Sequence, residues 1–335
     1  MTEGPSRRRV LTMIGALAGL PMLAGSTAAE RGVALYQWRG SSLGSPSRLL
    51  LYHHDHRAAM RIIARCAAEI ERLERIFALF RAESEIARLN RDGVLDGPSH
   101  DLLLVLGQAQ RLSMLTGGAF DVTVQPLWEL YAAHFFGQAA PAPEGPSDAA
   151  IEKALMHVDW REIDVAPGRV ALARTGMGLT LNGIAQGYLT DRVARILRDH
   201  GCDRILCDMG RSEMRALGRH ADGKAWQVGL ADPRRPETIA VTLALQDRAL
   251  CTSGGYGTPF EATGRHHHLF DPRTGRSAHH HLAVSVLAPS AMTADALSTA
   301  LYILPGERGQ QLLGAFPGTE ALVTSADGAI WRLAS

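Results

Sequence analysis

The chain has 335 residues, 46% of them hydrophobic and 21% charged, and its 35 Lys and Arg balance 34 Asp and Glu to a formal net charge of +1. That balance excludes a disordered polyelectrolyte and gives no field that would draw the protein onto nucleic acid or an anionic membrane. The length suits one large domain or two. Four cysteines, Cys66, Cys202, Cys207 and Cys251, form no CxxC pair, which argues against a zinc ribbon or a disulfide scaffold; Cys202 and Cys207 flank one predicted turn and strand, so thiol and disulfide are both open to them.

From the N-terminus, Arg7-Arg8-Arg9, an apolar stretch over 10–23 and the small residues over 25–29 predict a removable export signal, residues 1–29. The apolar stretch is shorter than the roughly 20 residues a membrane helix needs. The run Ser6-Arg7-Arg8-Arg9-Val10-Leu11-Thr12 resembles the twin-arginine export signal of bacteria. It implies a periplasmic location for the mature chain, residues 30–335, with no stable membrane span after processing.

Apolar residues Ile62, Ile63, Cys66, Ile70, Leu73, Ile76, Phe77 and Phe80 recur at three and four, which predicts an amphipathic helix over 57–80. Ser99 is the predicted N-cap of a second helix that ends at Leu115, before Gly117-Gly118. The Pro- and Ala-rich stretch 137–146 predicts a surface loop, after which Ser147 caps a short helix to Met156. A helix over 183–200, closed by Gly201, leads into predicted strands at 204–209, 225–231, 238–245, 248–252 and 282–288. Turns at Asp232-Pro233 and Asp271-Pro272 favour antiparallel hairpins. Helices over 291–304 and 307–316 and two short strands complete the chain. Helices first, then strands and helices mixed, is the order of an α+β fold, with mixed or antiparallel sheets packed against helices.

Several motifs fail on inspection. Gly218-Arg219-His220-Ala221-Asp222-Gly223-Lys224-Ala225 is one residue short of a phosphate-binding P-loop, because alanine stands where the magnesium-binding hydroxyl belongs; between two predicted strands it reads as a hairpin turn. Gly176-Met177-Gly178 lacks the third glycine of a dinucleotide fingerprint, and no GxSxG elbow or HExxH helix occurs. His266-His267-His268 and His279-His280-His281 place six of the 14 histidines close together, which invites a transition metal. Adjacent histidines on a strand point to opposite faces, so five of them read as solvated loop ends, and His268 alone is set apart.

Four separated segments carry a resemblance. They are Phe77 to Asn90, FALFRAESEIARLN; Gly117 to Pro126, GGAFDVTVQP; Asn182 to Val193, NGIAQGYLTDRV; and, between Thr252 and Thr299, TSGGY, HLFDPRTG and ADALSTA. In the same order they resemble the S-E-I-x-x-L-N, G-A-F-D-x-T-V, G-G-I-A-K-G-Y-x-x-D, and T-S-G-x-Y, H-x-x-D-P-R-T-G and A-D-A-x-x-T-A signatures of the bacterial FAD:protein FMN transferases, the ApbE family. The resemblance runs from about Ser42 to the C-terminus and implies that family's fold. It also implies transfer of FMN from FAD to a serine or threonine hydroxyl of another protein, with Mg2+ and with release of AMP, during maturation of exported redox proteins.

The residue types suit a magnesium-bound dinucleotide. Asp295 and Thr299 stand at i and i+4 of a predicted helix, so their oxygens share a face, and a carboxylate and a hydroxyl are hard ligands whose octahedron phosphate oxygens complete. The resemblance supplies a third ligand, the backbone carbonyl of Ala185. Alone, Asp295 would read as a charge at a favourable helix start. Gly117-Gly118 admit a ligand to the backbone, while Ala119, Phe120 and Asp121 offer a small wall, an aromatic surface and a carboxylate for an adenine or ribose donor. The resemblance makes these three, with Asn182, Tyr188 and His268, contacts to FAD. Leu43 and Phe80, where the family has methionine and tyrosine, suit apolar pocket walls and equally ordinary core. His268 is the candidate base for a hydroxyl nucleophile, with Asp271 orienting it.

Departures support a rival reading. Thr180 and Gln186 stand where the family has aspartate and lysine, and Arg211 replaces a second glycine. Losing one charge of each sign fits a compensated exchange, an altered donor choice or lost activity. The rival is a non-catalytic or FAD-hydrolysing accessory protein of the periplasm that binds flavin or metal. Retention of Asp295, Thr299 and His268 favours the transferase. Its acceptor would carry the family's Asp-x-x-(Ser/Thr)-Gly-Ala-(Ser/Thr) motif; none occurs in this chain, so self-modification is not expected.

Overall fold

A computed structural model describes residues 32–210 and 212–335. The export signal at 1–29 and Arg211 lie outside the described residues. The chain enters on a hairpin rather than a helix: β1 (Ala34–Ser42) and β2 (Ser45–His53) pair antiparallel across Leu43-Gly44, whose φ values are 48° and 84°. Asp55 then caps α1 (His56–Phe77), accepting from Ala58 N at 3.0 Å. The helix ends at Ala78, which is extended, so Phe80 lies beyond it and not inside it as the spacing predicts.

Serine caps start most of the following helices. Ser84 opens α2 (Glu85–Asp92), which ends at the left-handed Gly93, and Ser99 opens α3 (His100–Leu115) as expected. Between them lies β3 (Val94–Asp96). A helix absent from the sequence reading, α4 (Gln125–Phe136), carries Pro126 in its first turn, and Ser147 caps α5 (Asp148–Leu155). Strands β4 (Ile163–Ala166) and β5 (Arg169–Leu172) join β3 in a small sheet of order β3-β5-β4. After α6 (Ala185–Asp199) come β6 (Ile205–Met209), β7 (Glu213–Leu217), β8 (Trp226–Asp232), β9 (Arg235–Leu245) and β10 (Ala249–Ser253). The short pair β11 (Phe270–Asp271) and β12 (Arg276–Ser277) encloses Asp271-Pro272, and β13 (Ala283–Ala288) leads to α7 (Ala291–Ile303), α8 (Gly306–Leu313), β14 (Glu320–Thr324) and β15 (Ile330–Ala334).

The framework is one eight-stranded sheet of order β1-β2-β6-β7-β10-β13-β14-β15, antiparallel throughout, and the α+β class stands. Alternation along its strands separates two cores. Leu49, Leu51, Ile205, Cys207, Cys251, Val284 and Val286 point to the helical side, while Leu50, Leu206, Leu250, Leu287 and Leu322 point to the other face and meet Trp226, Val228 and Leu245 of the β8–β9 hairpin. Residues 218–225 therefore connect two sheets and do not close a hairpin, because β7 pairs with β6 and β10 while β8 pairs with β9. A third cluster, around Tyr131, Phe135, Phe260 and Phe270, joins α4 to β11–β12. All four cysteines are buried free thiols, which settles Cys202 and Cys207 as unpaired. No helix of the described residues is long and apolar enough to cross a membrane.

The closest helix approach lies between α6 and α7. A Cβ on Gly187 would sit 2.3 Å from the Ala291 carbonyl oxygen and 2.7 Å from Asp295 Cβ, so only glycine fits there. Gly187→Ala is expected to lower the unfolding free energy by about 1–3 kcal/mol, as overpacking does; an unchanged urea midpoint would show that the two helices move apart freely.

Candidate active site

The site grows from that helix junction. Asp191 on α6 accepts hydrogen bonds from Ser290 Oγ (2.9 Å), Ala291 N (2.9 Å) and Met292 N (3.0 Å), and so satisfies donors that a helix start leaves open. Arg215 braces the joint, 3.6 Å from Asp191 and bonded to the Pro289 carbonyl. One turn earlier on α6, Gly187 N donates to Asp295 Oδ2 at 2.8 Å. Asp295 is only 4% exposed; burial pushes its carboxyl well up, and the Gly187 N–H pulls against that shift. Glu213 on β7 is buried too, accepting from Ser212 Oγ at 2.6 Å. Burial first, and the Asp295 charge second, raise its carboxyl. Among the described residues neither carboxylate has an ion-pair partner, a situation that a proton or a cation relieves.

Thr299 lies one turn beyond Asp295, its hydroxyl 3.2 Å from Ser253 Oγ, which also meets Ser298 Oγ at 2.8 Å. Gly183 comes close enough that a Cβ there would be 3.0 Å from Thr299 Oγ1 and 3.5 Å from the Phe120 ring. Ala185 starts α6 on the same approach, and Asn182 is exposed beside it, its N–H 3.4 Å from Thr180 Oγ1. Phe120, Gly183 and Thr299 are thus brought together, with Asn182 and Ala185 flanking Gly183 in the chain and Asp295 bonded to Gly187 just beyond. The donor set fits a hard divalent cation: Asp295 has Oδ1 left beyond its bond to Gly187, Thr299 has a lone pair beyond its contact with Ser253, and the backbone supplies carbonyls.

Leu43 and Phe80 meet at the edge of this region. Leu43 N donates to Glu74 Oε1 at 2.9 Å, and a Cβ on Gly44 would be 3.2 Å from the Phe80 ring. Phe80 is 47% exposed, which removes the ordinary-core reading for it. Gln186 ties the Leu43 turn to α6, its Nε2 donating to Ser42 Oγ and to the Met209 carbonyl, each at 2.7 Å. Thr180 instead bonds Val122 through its N–H at 2.8 Å. Among the described residues no hydrogen bond joins Thr180 to Gln186.

Two expected ligand contacts are committed internally. Asp121 accepts from Thr123 N (2.8 Å), Thr123 Oγ1 (2.6 Å) and Trp160 N (3.1 Å), so it folds the loop that presents Ala119, which is buried, and Phe120. Tyr188 donates to Asp101 at the start of α3 and packs edge-on against Phe77.

His268 is held differently from expectation. Its Nδ1 lies 3.3 Å from the Thr258 carbonyl, an oxygen that only accepts, so Nδ1 carries the proton and Nε2 keeps its lone pair. Burial pushes this imidazole down to about 4, leaving it neutral at physiological pH. Asp271 does not orient it: both carboxylate oxygens bond Arg273, at 2.8 and 2.7 Å. The solvated reading of the histidine runs holds for His279 and His280 but fails for His266, His267 and His281, which are buried. His267 packs on Gly255, accepts from Leu269 N at 3.3 Å and donates to the Ala278 carbonyl at 3.0 Å. Tyr302 Oη takes the Gly255 N–H at 3.2 Å, so α7 carries Asp295, Thr299 and Tyr302 against one loop. Among the described residues no three His, Cys, Asp or Glu side chains converge as a metal cage.

Sequence reasoning gave no role to Ser253, Asp191, Gly183 or Glu213. The first three stood inside quoted motifs, TSGGY and NGIAQGYLTDRV; the partners of Asp191, at 290–292, stood outside every motif.

Residues 43–323 match the ApbE family, and the chain belongs to that family. It is 33% identical over 294 residues to the FAD:protein FMN transferase of Treponema pallidum (strain Nichols), a match that covers 78% of this chain and 80% of that one. Identity to the FAD:protein FMN transferase of Haemophilus influenzae is 32% over 243 residues, covering 70% and 69%. Among solved structures, the ApbE protein of Thermotoga maritima superposes with a TM-score of 0.77 at 28% identity, covering 89% of this chain and 97% of that one. The flavin transferase ApbE from Vibrio cholerae superposes at 0.75 with 26% identity, covering 90% and 98%.

The buried imidazoles set a pH dependence. His267 is pushed down to about 3 and His268 to about 4, mainly by burial, from an ordinary 6.5. As pH falls below 6.5 the unfolded chain takes up protons that the folded one refuses, so stability must fall with pH across that window. Between about pH 7.5 and about pH 5.5 the urea midpoint of the wild type is expected to drop more than that of His267→Gln; equal drops would contradict the assignment.

Proposed function

We propose that the protein transfers FMN from FAD to a serine or threonine hydroxyl of a protein acceptor, with a magnesium requirement, releasing AMP. The relatives that match most of the chain are named FAD:protein FMN transferases, which supports the transfer of FMN from FAD to a protein. The single observation that carries the reading for this chain is the ladder on α7, where buried Asp295 accepts from Gly187 N and half-buried Thr299 lies against Gly183 beside Phe120, while Tyr302 of the same helix holds the loop that leads to His268.

In this mechanism the acceptor oxygen bonds to the FMN phosphorus, the bond from that phosphorus to the oxygen bridging to the AMP half breaks, and AMP leaves with the bridging oxygen. His268 Nε2 takes the hydroxyl proton, and the Thr258 carbonyl holds the ring in the tautomer that permits it. Asp295, Thr299 and the Ala185 carbonyl would hold the magnesium ion, which offsets phosphate charge when bound. The exposed Phe80 suits a stacking surface for the flavin or adenine ring, while the buried Phe120 backs the Gly183 approach. The resemblance of residues 6–12 to a twin-arginine signal supports a periplasmic site of action and exported redox proteins as acceptors.

The test is incubation of residues 30–335 with FAD, magnesium and an acceptor domain bearing the Asp-x-x-(Ser/Thr)-Gly-Ala-(Ser/Thr) motif, read by in-gel flavin fluorescence and intact mass. One FMN added to the acceptor is expected. His268→Ala should slow transfer by about 10²–10⁴-fold with FAD still bound, and Asp295→Ala should abolish magnesium-dependent transfer in a folded protein. FAD that stays bound, or is split to FMN and AMP with the acceptor unmodified, would point instead to the carrier or hydrolase.

A further inference from the structure

A second cavity lies at the opposite end of β6 and β7 from Gly210. It is a groove of about 490 Å³, lined in part by the Gly218–Lys224 turn that resembles a P-loop. We propose that this groove binds a phosphate-bearing small molecule, separately from the flavin site and without magnesium.

Three arginines reach it from three segments: Arg198 from the end of α6, Arg204 ahead of β6 and Arg219 after β7. They outnumber the acidic lining residues, Asp203 and Asp247; Arg219 Nη1 donates to the Gly223 carbonyl at 3.0 Å, and Asp247 is engaged too. Its Oδ1 accepts from Gly218 N at 2.8 Å and its Oδ2 from Gln246 Nε2 at 3.4 Å. Guanidinium forks match phosphate oxygens in pairs, which ammonium groups do not.

The walls are pinned rather than loose. Asp247 sits at φ 53°, a left-handed conformation unusual outside glycine, and Gly218 at φ 57°. A Cβ on Gly218 would lie 2.1 Å from the Asp203 carbonyl oxygen, so the two loops close on each other only through glycine. His220 is fixed at both nitrogens, Nε2 by Tyr52 Oη at 2.9 Å and Nδ1 by the Asp222 carboxylate at 3.1 Å. Its ring stands edge-on to Trp226, with centroids 5.3 Å apart. The result is a fixed imidazole in a groove that three arginines also line. The volume falls within the roughly 300–1,000 Å³ of small-ligand sites, more than bare phosphate needs.

The departure from the P-loop pattern fits this use. Ala225 offers no hydroxyl to a magnesium ion, and the turn runs into β8 rather than into a helix. Arginines replace both the metal and the helix dipole as the source of positive charge.

The test uses residues 30–335 saturated with FAD, without divalent cations, titrated calorimetrically with inorganic phosphate and with AMP while flavin fluorescence reports that FAD stays bound. Saturable one-site binding is expected, weakened about tenfold or more in Arg198→Gln/Arg219→Gln, with FAD affinity and melting temperature unchanged. Should the double variant melt early, Arg219→Gln alone, on an exposed turn, gives the same comparison. AMP binding tighter than phosphate would assign the His220 face to a nucleobase, and equal binding would restrict recognition to the phosphate; both uphold the site. No saturable binding of either, or binding that the substitutions leave intact, would overturn it.

Discussion

The site depends on how closely α6 can approach the start of α7. Gly187 removes the side chain that would hold the helices apart, and Asp191, four residues later on the same face, caps α7 through three hydrogen bonds. With those contacts made, Gly187 N reaches Asp295 and the start of α6 falls beside Thr299. A buried carboxylate is costly to hold alone, and in the proposed reading a cation at Asp295 would restore the balance. The same closeness brings Gln186 to Ser42 and sets the turn that carries Leu43.

The antiparallel sheet supplies the opposite wall. Ser253 at the end of β10 and Gly255 just after it face α7, meeting Thr299 and Tyr302 in turn. Tyr302 and His267 fix this loop, and His268 follows directly. Its Nδ1–H is held by the Thr258 carbonyl, not by the carboxylate that the HLFDPRTG motif suggests, which leaves a lone pair on Nε2. Asp271 serves that motif by closing its turn on Arg273.

Local signals in the sequence were legible where local physics decides. The spacing in α1, the serine caps of α3 and α5, and the strands β6, β8, β9, β10 and β13 emerge with ends within three residues of expectation. The first hairpin was hidden because Leu49-Leu50-Leu51 faces two cores and shows no alternation, and because its turn uses Leu43-Gly44. Helix α4 was hidden because apolar residues surround it, leaving no polar stripe to mark a period. Motifs located the site residues but not their partners: Asp121 bonds Trp160, Tyr188 bonds Asp101, and neither partner is near in sequence.

The most direct measurement of the central claim is a crystal structure of residues 30–335 with FAD and manganese in place of magnesium, the metal located by its anomalous scattering. The account predicts one peak coordinated by Asp295, Thr299 and the Ala185 carbonyl together with phosphate oxygens of the dinucleotide. A peak held instead by the histidine runs, with Asp295 still bonded only to Gly187, would contradict it.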